Sequence, residues 1–381
     1  MMAINQLVTL DSLLFMILLA FFLNTLLNLK RISPVATLPP GKDWPFVSIL
    51  VPARNEEKKI RPLIESLLQQ DYDNFEIVVL DDNSSDCTWP ILQELSAHNP
   101  RLRIKRSQEL PPGWTGKNWA CHQLSSLAQG EIFLYTDADT IHNPLALKQA
   151  VASAIQHQSG LLSALPTLEA KTWSEKLYMP LIPFAFLTLV PFFKINSRRH
   201  RSFPAVLGPF LLLPRKTYEA TGGHAAVKEN IVDDIALARQ VNKQGGKITL
   251  IDGSRLLSIR FYTCFKELWD GFSKNSYEAI KGTPLKLLGV ILLGYFLFIR
   301  PYLALLDSLS QSHPLSPPLL QVALISLIRI ILAERFGTGL LWVMLHPLSI
   351  ALALLILINS FRLALFQKKI AWKERWYVLP K

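Results

Sequence analysis

The segment EIFLYTDADT, residues 131–140, decides the fold because it joins an apolar run to two carboxylates. Residues 132–135 are typical of a buried β-strand, and Asp137 and Asp139 follow directly. Side chains at positions i and i+2 of a strand point to the same face. If the extended geometry continues, both carboxylates lie on one side and can bind one hard divalent cation. A D-x-D at a strand end is also typical of an ordinary polar loop, so the surrounding sequence must decide.

Strand and helix patterns alternate around this segment, from about residue 44 to residue 282. The runs FVSILVPA (46–53), FEIVVL (75–80) and LRIKR (102–106) predict strands. Asn55 is a candidate N-cap for a following helix, and another helix is expected over about 118–128. The sequence therefore predicts an α/β domain with a mostly parallel sheet flanked by helices. In such sheets, ligands bind at the carboxyl ends of the strands.

A second strand also ends in acids, in DDNSSD at residues 81–86. Asp81 and Asp82 would meet the D-x-D at one edge of the sheet, where a carboxylate can accept hydrogen bonds from a ribose or a base. Neither G-x-G-x-x-G nor G-x-x-x-x-G-K-[ST] occurs in the sequence. Dinucleotide-binding and P-loop ATPase folds therefore lack their usual sequence support.

Apolar composition predicts that the chain is an integral membrane protein. Mean hydropathy is +0.25, and hydrophobic residues make up 50% of the 381. Residues 12–29 form an apolar run long enough to cross a bilayer. Lys30 and Arg31 follow it, and no Lys or Arg precedes it. We expect an uncleaved anchor whose C-terminal end faces the cytoplasm, because a signal peptide would carry the opposite charge arrangement and small residues at its end.

Further apolar runs follow residue 283. Residues 285–306 and 340–361 are candidate spans, whereas 319–332 is shorter and contains Arg329. The tail after residue 361 is basic, which predicts a cytoplasmic location and therefore an even number of crossings after the α/β domain. We accordingly expect the middle run to lie in the interface. The predicted domains are an anchor and linker (1–43), the α/β domain (44–282) and C-terminal membrane helices with a basic tail (283–381), with a bacterial cell membrane as the expected site.

Charge and cysteine content exclude several classes of protein. The formal net charge is +11, which suits nucleic acid or an anionic membrane surface. With apolar spans and no nucleic-acid motif, membrane lipids are the expected partner and nucleic acid is not. Cys87, Cys121 and Cys264 are widely spaced, so they predict neither a disulfide framework nor a zinc site. A reducing compartment fits this pattern.

Four motifs occur in the order and spacing of a known family. VSILVPARNEE (47–57), VVLDDNSSD (78–86), LYTDADT (134–140) and IVDDIALARQV (231–241) resemble the family 2 glycosyltransferases, which have the GT-A fold. The resemblance covers about residues 45–265. More narrowly, LPPGWTGKNWACHQ (110–123) and the arrangement of membrane segments resemble the membrane-bound hopanoid-associated and carotenoid glycosyltransferases.

The resemblance implies roles for the acidic residues. In that family a divalent cation, Mn²⁺ or Mg²⁺, stabilises the departing diphosphate, and the motif implies Asp139 as its ligand, with Asp137 nearer the sugar or ribose. The acidic pair implies Asp234 as the base that activates the acceptor. Asp233 stands where the family commonly has Glu, which leaves open which acid acts. Acids also favour the first turn of a helix.

The remaining candidate contacts concern the donor and the acceptor. Lys117 lies between Trp114 and Trp119 in a Gly/Pro-rich loop, where a cation can reach a diphosphate and an aromatic ring can stack on a base or sugar. The alternative is a solvated lysine with tryptophans that pack on the core. The apolar, proline-rich run 179–193 predicts an interfacial segment. The expected nucleotide-sugar contacts are Pro52, Arg54, Glu56, Asp81, Asp82, Lys117 and Asp137. The expected headgroup or acceptor contacts are Arg198, Arg199 and Arg201, and Arg260 is a candidate diphosphate contact. His122, His142 and His224 show no metal-ligand spacing, so they are expected to be structural or solvent-facing.

The sequence thus favours a membrane-anchored, inverting glycosyltransferase. It would move one sugar from a nucleotide-diphosphate sugar, a UDP-sugar first, to a lipid acceptor of carotenoid or hopanoid type. A polyprenyl phosphate or glycerolipid acceptor is the first alternative. A processive polysaccharide synthase is the second, although its Q-x-x-R-W signature is absent and FSKNSYEAIKG (272–282) stands there. A non-catalytic membrane scaffold is the third, and the intact acidic motifs oppose it.

Overall fold

The computed structural model describes residues 2–36, 44–192, 206–280, 283–311, 315–367, 369–372 and 375–378. The chain divides into two compact units. The α/β unit comprises Arg31–Thr167 and Phe192–Arg260, and the helical unit comprises Met1–Lys30, Leu168–Pro191 and Phe261–Lys381. Residues 168–191 thus group with the helices, whereas the division of the sequence at 43 and 282 stays a prediction.

The strands are, in chain order, β1 (Val47–Ala53), β2 (Phe75–Asp81), β3 (Leu102–Arg106), β4 (Ile132–Thr136), β5 (Thr140–His142), β6 (Leu161–Leu168), β7 (Phe210–Pro214), β8 (Ile248–Ile259), β9 (Lys369–Trp372) and β10 (Arg375–Val378). The helices are α1 (Met2–Arg31), α2 (Ile60–Leu68), α3 (Thr88–Ala97), α4 (Gly116–Leu127), α5 (Ala146–Gln156), α6 (Trp173–Tyr178), α7 (Leu181–Leu189), α8 (Arg215–Ala220), α9 (Asp233–Lys243), α10 (Phe265–Ile280), α11 (Pro284–Phe298), α12 (Arg300–Gln311), α13 (Ser316–Phe336), α14 (Leu341–Met344) and α15 (His346–Gln367). A 3₁₀ helix, Gly223–Val227, lies between α8 and α9.

The α/β unit is built on an eight-stranded sheet in the order β3-β2-β1-β4-β7-β6-β8-β5. β3, β2, β1 and β4 are parallel to one another, whereas β7 is antiparallel to β4, and β5 to β8. Every residue of β2 and β4 is buried, as expected for parallel strands covered on both faces. The predicted α/β fold with a parallel central sheet is therefore confirmed.

The loop after β1 differs from the prediction. Asn55 does not cap a helix: it has a φ of +51°, and α2 begins only at Ile60. Asparagine tolerates this left-handed conformation, and loop contacts hold it there. The N–H of Asn55 donates to Ser84 Oγ at 2.9 Å, and Asn55 Oδ1 accepts from the N–H of Ser85 at 2.9 Å. The amide of Asn55 thus joins the loops after β1 and β2 instead of starting a helix.

The end of β4 also differs from the extended geometry considered above. The strand stops at Thr136, and the chain turns so that the N–H of Thr140 donates to the carbonyl of Asp137 at 3.3 Å. The i, i+2 argument therefore does not apply to the carboxylates of Asp137 and Asp139. Each is instead oriented by the turn, and each contacts a different lysine.

Among the residues that the structure describes, four helical segments are long and apolar enough to cross a membrane: Leu10–Arg31, Pro284–Ser310, Ser316–Phe336 and His346–Ala364. The run 319–332, for which an interfacial position was expected because it is short, lies inside the 21-residue helix α13. The helix includes polar residues at both ends of the run, which an apolar window in the sequence leaves out. Length and composition therefore allow three C-terminal crossings as well as two.

Polar side chains join the helices of the helical unit. Asn28 Nδ2 of α1 donates to the carbonyls of Leu187 and Val190, at 2.8 and 2.6 Å, which fixes the end of α7. The apolar run 179–193 thus contains a helix that packs within the helical unit. Arg329 of α13 is buried, and its Nη1 donates to the carbonyl of Pro180 at 3.0 Å. Charged groups on apolar helices are normally paired in this manner, since an unpaired charge in hydrocarbon is costly.

Candidate active site

The loops after β1 and β2 form one side of the site. Arg54 donates from Nη1 to the carbonyls of Asp82 and Asn83. The carboxylate of Asp81 is fully buried and accepts from both the hydroxyl and the N–H of Ser84. These contacts hold the two strand ends together. They also mean that Arg54 and Asp81 brace the loops through which a nucleotide would be bound.

The other predicted residues of this region lie close by. Pro52 is inside β1 and pairs in register with Leu80 of β2. The N–H of Glu56 donates to Thr88 Oγ1 at 2.7 Å, which fixes its backbone against the start of α3. The structure therefore brings together the predicted nucleotide contacts that follow β1 and β2.

The carboxylates after β4 contact two lysines. Asp137 Oδ1 lies 2.9 Å from Lys117 Nζ, and Asp139 Oδ2 lies 3.5 Å from Lys59 Nζ. Both carboxylates keep partial exposure, 29% for Asp137 and 19% for Asp139. They are therefore reachable by a ligand, and their charge is balanced by flexible cations. Lys59 carried no signal in the sequence, where it is one of several charged residues near the start of a helix.

Strand pairing places Arg260 near the same turn. In the antiparallel pairing of β5 with β8, Thr140 lies opposite Ile259. Asp139 and Arg260 are the next residues beyond this pair, one on each chain segment. The register therefore positions the predicted diphosphate contact next to the predicted metal ligand.

Helix α4 brings Lys117 into the site. Thr115 caps the helix, and its Oγ1 accepts from the N–H of Asn118 at 3.3 Å. The amide of Asn118 is buried, and Nδ2 donates to the carbonyls of Val227, Lys228 and Asn230 at 2.8–3.1 Å. The loop that leads to the second acidic motif is thus attached to the first turn of α4. Lys117 consequently lies between the two acidic motifs.

Asp233 is the buried member of the acidic pair. Its Oδ1 lies 3.5 Å from Lys117 Nζ, and its Oδ2 lies 3.9 Å from His224 Nε2. Burial alone would raise the pKa of Asp233, but Lys117 and His224 outweigh burial and the pKa falls to about 2. Burial likewise opposes the charge of Lys117, yet Asp137 and Asp233 raise its pKa well above the usual value. Asp233 and Lys117 are therefore a stably ionised pair.

Asp234 has the opposite character. Burial, reinforced by the neighbouring charge of Asp233, raises the pKa of Asp234 to about 6. Its Oδ1 accepts from the N–H of Ile235 at 2.7 Å. A Cβ added to Gly208 would lie only 3.1 Å from Asp234 Oδ2, so this glycine allows close approach to the carboxylate. A carboxylate that titrates near neutral pH is suited to accept a proton from a reacting group.

Aromatic rings cluster near the start of α4, with Trp114 and Trp119 on either side of Lys117 in the sequence. Trp114 and Trp119 meet edge to face at 5.1 Å, and the ring of His122 lies 5.1 and 5.6 Å from them. All three side chains are half-buried. The rings pack on one another and also present partly exposed surface, so both interpretations of the tryptophans stand.

Sequence reasoning did not identify all the residues of this cluster. His224, for which no role was expected, is buried against Asp233 and Tyr218. The spacing of His224 in the sequence gives no hint of this, although two glycines precede it. His142 is also buried, but it contacts a threonine: its Nε2 lies 2.9 Å from Thr136 Oγ1, and burial lowers its pKa to about 3. The predicted contacts Arg198, Arg199 and Arg201 lie outside the described residues.

Comparisons with known proteins agree with this geometry. The model of Glycosyl transferase family 2 matches residues 48–222. The chain is 28% identical over 344 residues to a 4,4'-diaponeurosporenoate glycosyltransferase of Staphylococcus aureus, covering 88% of this chain and 89% of that protein. It is 27% identical over 345 residues to the enzyme of that name from Staphylococcus haemolyticus, covering 88% and 90%.

A solved structure supports the fold. A mannosyltransferase of Pyrobaculum calidifontis, determined in complex with GDP-Man and Mn²⁺, superposes with a TM-score of 0.55 at 18% identity, covering 95% of this chain and 98% of that one. At this identity the likeness concerns the fold alone. The GT-A fold expected from the sequence motifs is confirmed.

Proposed function

We propose that the chain is a family 2 glycosyltransferase, a membrane-anchored, inverting enzyme that transfers one sugar from a nucleotide-diphosphate sugar to a carotenoid-type lipid. The single observation that carries the proposal is the cluster in which Lys117 links Asp137 to the pair Asp233 and Asp234. This cluster connects the end of β4, where the donor would bind, to the carboxylate of Asp234, which can accept a proton.

The donor would bind along the carboxyl ends of β1, β2 and β4. Loops braced by Arg54 and Asp81 suit a nucleoside, and Lys117 and Arg260 suit a diphosphate. A UDP-sugar is the first candidate, and the solved mannosyltransferase was determined with GDP-Man. The carboxylates of Asp137 and Asp139 are hard oxygen donors with partial exposure, and they fit Mn²⁺ or Mg²⁺. Such a cation, held by Asp139 with Asp137 assisting, would supply charge stabilisation to the leaving diphosphate.

Asp234 would act as the base in a single displacement. An acceptor hydroxyl attacks the anomeric carbon from the face opposite the diphosphate, and its proton passes to the carboxylate of Asp234. The bond between the anomeric carbon and the nucleoside diphosphate breaks at the same time, and the nucleoside diphosphate leaves with the bonding electrons. One displacement inverts the anomeric configuration. Asp233, ionised and held by Lys117, keeps the neighbouring charge that raises the pKa of Asp234.

The acceptor is proposed from the relatives and from the membrane helices. The Staphylococcus relatives are 4,4'-diaponeurosporenoate glycosyltransferases, and that name denotes a carboxylate. Within the described part of the chain, four helical segments are long and apolar enough to cross a membrane, which supports an acceptor that stays in the bilayer. A carboxylate acceptor arrives already ionised near neutral pH, whereas a hydroxyl acceptor needs the base. Dependence on Asp234 therefore distinguishes the two kinds of acceptor.

We further propose that the α/β unit faces the cytoplasm of a bacterial cell. Lys30 and Arg31 follow the first apolar segment directly, in accordance with the positive-inside rule. Polyprenyl phosphates and glycerolipids are the next acceptor classes.

The proposal is tested with membranes that contain the full chain, radiolabelled UDP-sugars and lipid extracts. Formation of a labelled lipid with one sugar, dependent on Mn²⁺ or Mg²⁺, is the expected result. A long labelled polymer would instead support a processive synthase. Membranes that carry the Asp139→Ala variant are the matched control for the proposed metal ligand.

A further inference from the structure

We propose that His224 is a positioning residue of the active site, which holds Asp233 in place through a ring tautomer that Tyr218 selects. The inference rests on the proposed function, since it explains how the acidic pair is held for sugar transfer. It assigns a role to a buried histidine that the sequence left without one.

The backbone around His224 is shaped to enclose Tyr218. Gly222 and Gly223 both lie in the left-handed region, with φ of +76° and +52°. A Cβ on Gly223 would lie 2.4 Å from the ring of Tyr218, far inside van der Waals contact. Only glycine therefore allows the chain to close over this ring. The side chain of His224 is consequently buried, with 1% exposure.

Hydrogen bonds to Tyr218 determine which ring nitrogen of His224 carries the proton. The backbone N–H of His224 donates to Tyr218 Oη at 3.0 Å. His224 Nδ1 lies 3.0 Å from the same oxygen, which also has Ser125 and Tyr135 as hydrogen-bonding neighbours. We assign the Tyr218 hydroxyl as the donor to Nδ1, because the ring then turns an N–H and not a lone pair towards the carboxylate of Asp233. Burial lowers the pKa of His224, so the ring is neutral near pH 7 and carries one proton. Since Nδ1 accepts, that proton lies on Nε2.

The protonated Nε2 faces Asp233. It lies 3.9 Å from Oδ2, while Lys117 Nζ lies 3.5 Å from Oδ1. Each carboxylate oxygen of Asp233 thus has its own partner: the ammonium of Lys117 faces Oδ1, and the N–H dipole of the neutral His224 ring faces Oδ2. Both separations exceed a hydrogen bond, so the restraint is electrostatic, and it opposes rotation of the carboxylate. Asp234 follows Asp233 directly, so the orientation of Asp233 fixes the charge next to the proposed base.

A metal site is the competing explanation. Ligand atoms of Cys121, His224 and Asp233 lie within 4.8 Å of one another, and all three residues are buried. The ammonium of Lys117 is already 3.5 Å from Asp233, so a divalent cation there would meet a like charge. Thiol chemistry disfavours it too, because burial raises the pKa of Cys121 well above its usual value, whereas a ligand must be a thiolate. The geometry therefore favours a positioning role.

The test compares two amide substitutions at one position. In His224→Gln the amide nitrogen takes the place of Nε2 and can still donate to Asp233, whereas in His224→Asn it takes the place of Nδ1. We expect kcat to fall about 10–100-fold in His224→Asn, as for other residues that orient a reacting group. In His224→Gln, kcat should stay within about threefold of the wild type, with the KM for the sugar donor unchanged in both variants.

Tyr218→Phe supplies the control for the tautomer. It should lower kcat in the wild-type background but cause no further loss in His224→Gln, because the glutamine needs no hydroxyl to direct its donor. Equal losses in the Gln and Asn variants would assign His224 to packing alone and overturn the proposal. Unchanged activity in both would overturn it too. Stoichiometric zinc in the purified wild-type protein would also overturn it, if both the zinc and the activity are lost in Cys121→Ser.

A spectroscopic measurement keeps the inference separate from the proposed function. Nitrogen NMR of full-length protein with labelled histidine, in detergent, reports the tautomer of His224 by difference against His224→Gln. The expected result is a neutral ring protonated at Nε2, whether or not a sugar is transferred. A ring protonated at Nδ1 refutes the inference. If wild-type protein glycosylates no lipid, the proposed function fails while this measurement still decides the geometry.

Discussion

Replacing Asp234 by Asn should remove the base while leaving the site intact. The amide has the size of the carboxylate, and its oxygen can still accept from the N–H of Ile235, the contact made at 2.7 Å. Burial and the charge of Asp233 raise the pKa of Asp234 to about 6, so about nine-tenths of it is ionised at pH 7. The wild type therefore works near its full capacity at neutral pH, and the variant has no basic group at this position.

The expected loss is in kcat, by about 10²–10⁴-fold for a hydroxyl acceptor. This corresponds to about 3–5 kcal/mol of transition-state stabilisation. Donor binding should change little, because the substitution leaves Lys117 and the D-x-D in place. With a carboxylate acceptor such as 4,4'-diaponeurosporenoate, the loss should be much smaller, since no proton has to be removed.

The pH profile gives an independent measurement. Because Asp234 must be ionised to accept a proton, kcat/KM of the wild type should rise about tenfold per pH unit below about pH 6 and level off above it. The Asp234→Asn variant should lack this rise in kcat/KM. In Asp233→Asn, the rise should move to lower pH, since the charge that raises the pKa of Asp234 is gone.

The assay is transfer of labelled sugar to a lipid alcohol and to a lipid carboxylate in liposomes, over pH 5–8. If Asp233→Asn were crippling and Asp234→Asn mild, the roles of the two acids would have to be exchanged. A wild-type profile flat through pH 6 with the hydroxyl acceptor would refute the reasoning from burial and charge.

Two further predictions follow from the geometry of the site, and one, on the basic cluster at 198–201, follows from the sequence. Asp139→Ala should abolish transfer with an unchanged melting temperature, because it removes a proposed metal ligand at a partly exposed turn; full wild-type turnover in excess chelator would contradict this assignment. Replacing Arg198, Arg199 and Arg201 by Gln should raise the acceptor KM in anionic liposomes more than the donor KM, as each arginine contributes about 1 kcal/mol of attraction to an anionic surface; equal effects on both would count against it. Gly208→Ala should lower kcat but leave thermal stability nearly unchanged, because the new Cβ would lie 3.1 Å from a carboxylate oxygen of the proposed base; wild-type kcat would show that this contact is unimportant.

The strands and the acidic strand ends could be predicted because their signals are local. The apolar run at 46–53 predicted a strand there, and in the structure β1 spans Val47–Ala53. Carboxyl ends of parallel strands meet at one edge whatever the details of the loops. The parallel arrangement of the strands was therefore enough to predict that the loops after β1 and β2 lie near the end of β4.

Contacts between distant segments could not be predicted. Lys117 meets Asp233 because the amide of Asn118 binds carbonyls 109–112 residues away in the sequence. Nothing in the spacing of these residues specifies this contact. The role of His224 likewise depends on a turn of two left-handed glycines around Tyr218, and sequence reading treated the histidine alone.

Two local expectations differ from the structure for physical reasons: the helix cap at Asn55, and the length of the apolar segment at 319–332, whose interfacial position stays a prediction. Asn55 suits both a helix N-cap and a left-handed turn, and hydrogen bonds to the loop after β2 decided for the turn. The apolar run ends at residues 319 and 332 because polar residues flank it. The helix α13 includes those polar residues and is 21 residues long. A hydropathy window detects apolar residues, so it does not show where a helix begins or ends.

The most direct test of lipid glycosylation is mass spectrometry of lipid extracts from cells with and without the gene. We expect a membrane lipid that is heavier by one sugar residue in cells with the gene. The unglycosylated lipid should accumulate when the gene is absent or carries Asp139→Ala. Identical lipid profiles, with a change only in a polysaccharide or in a water-soluble glycoside, would contradict the account.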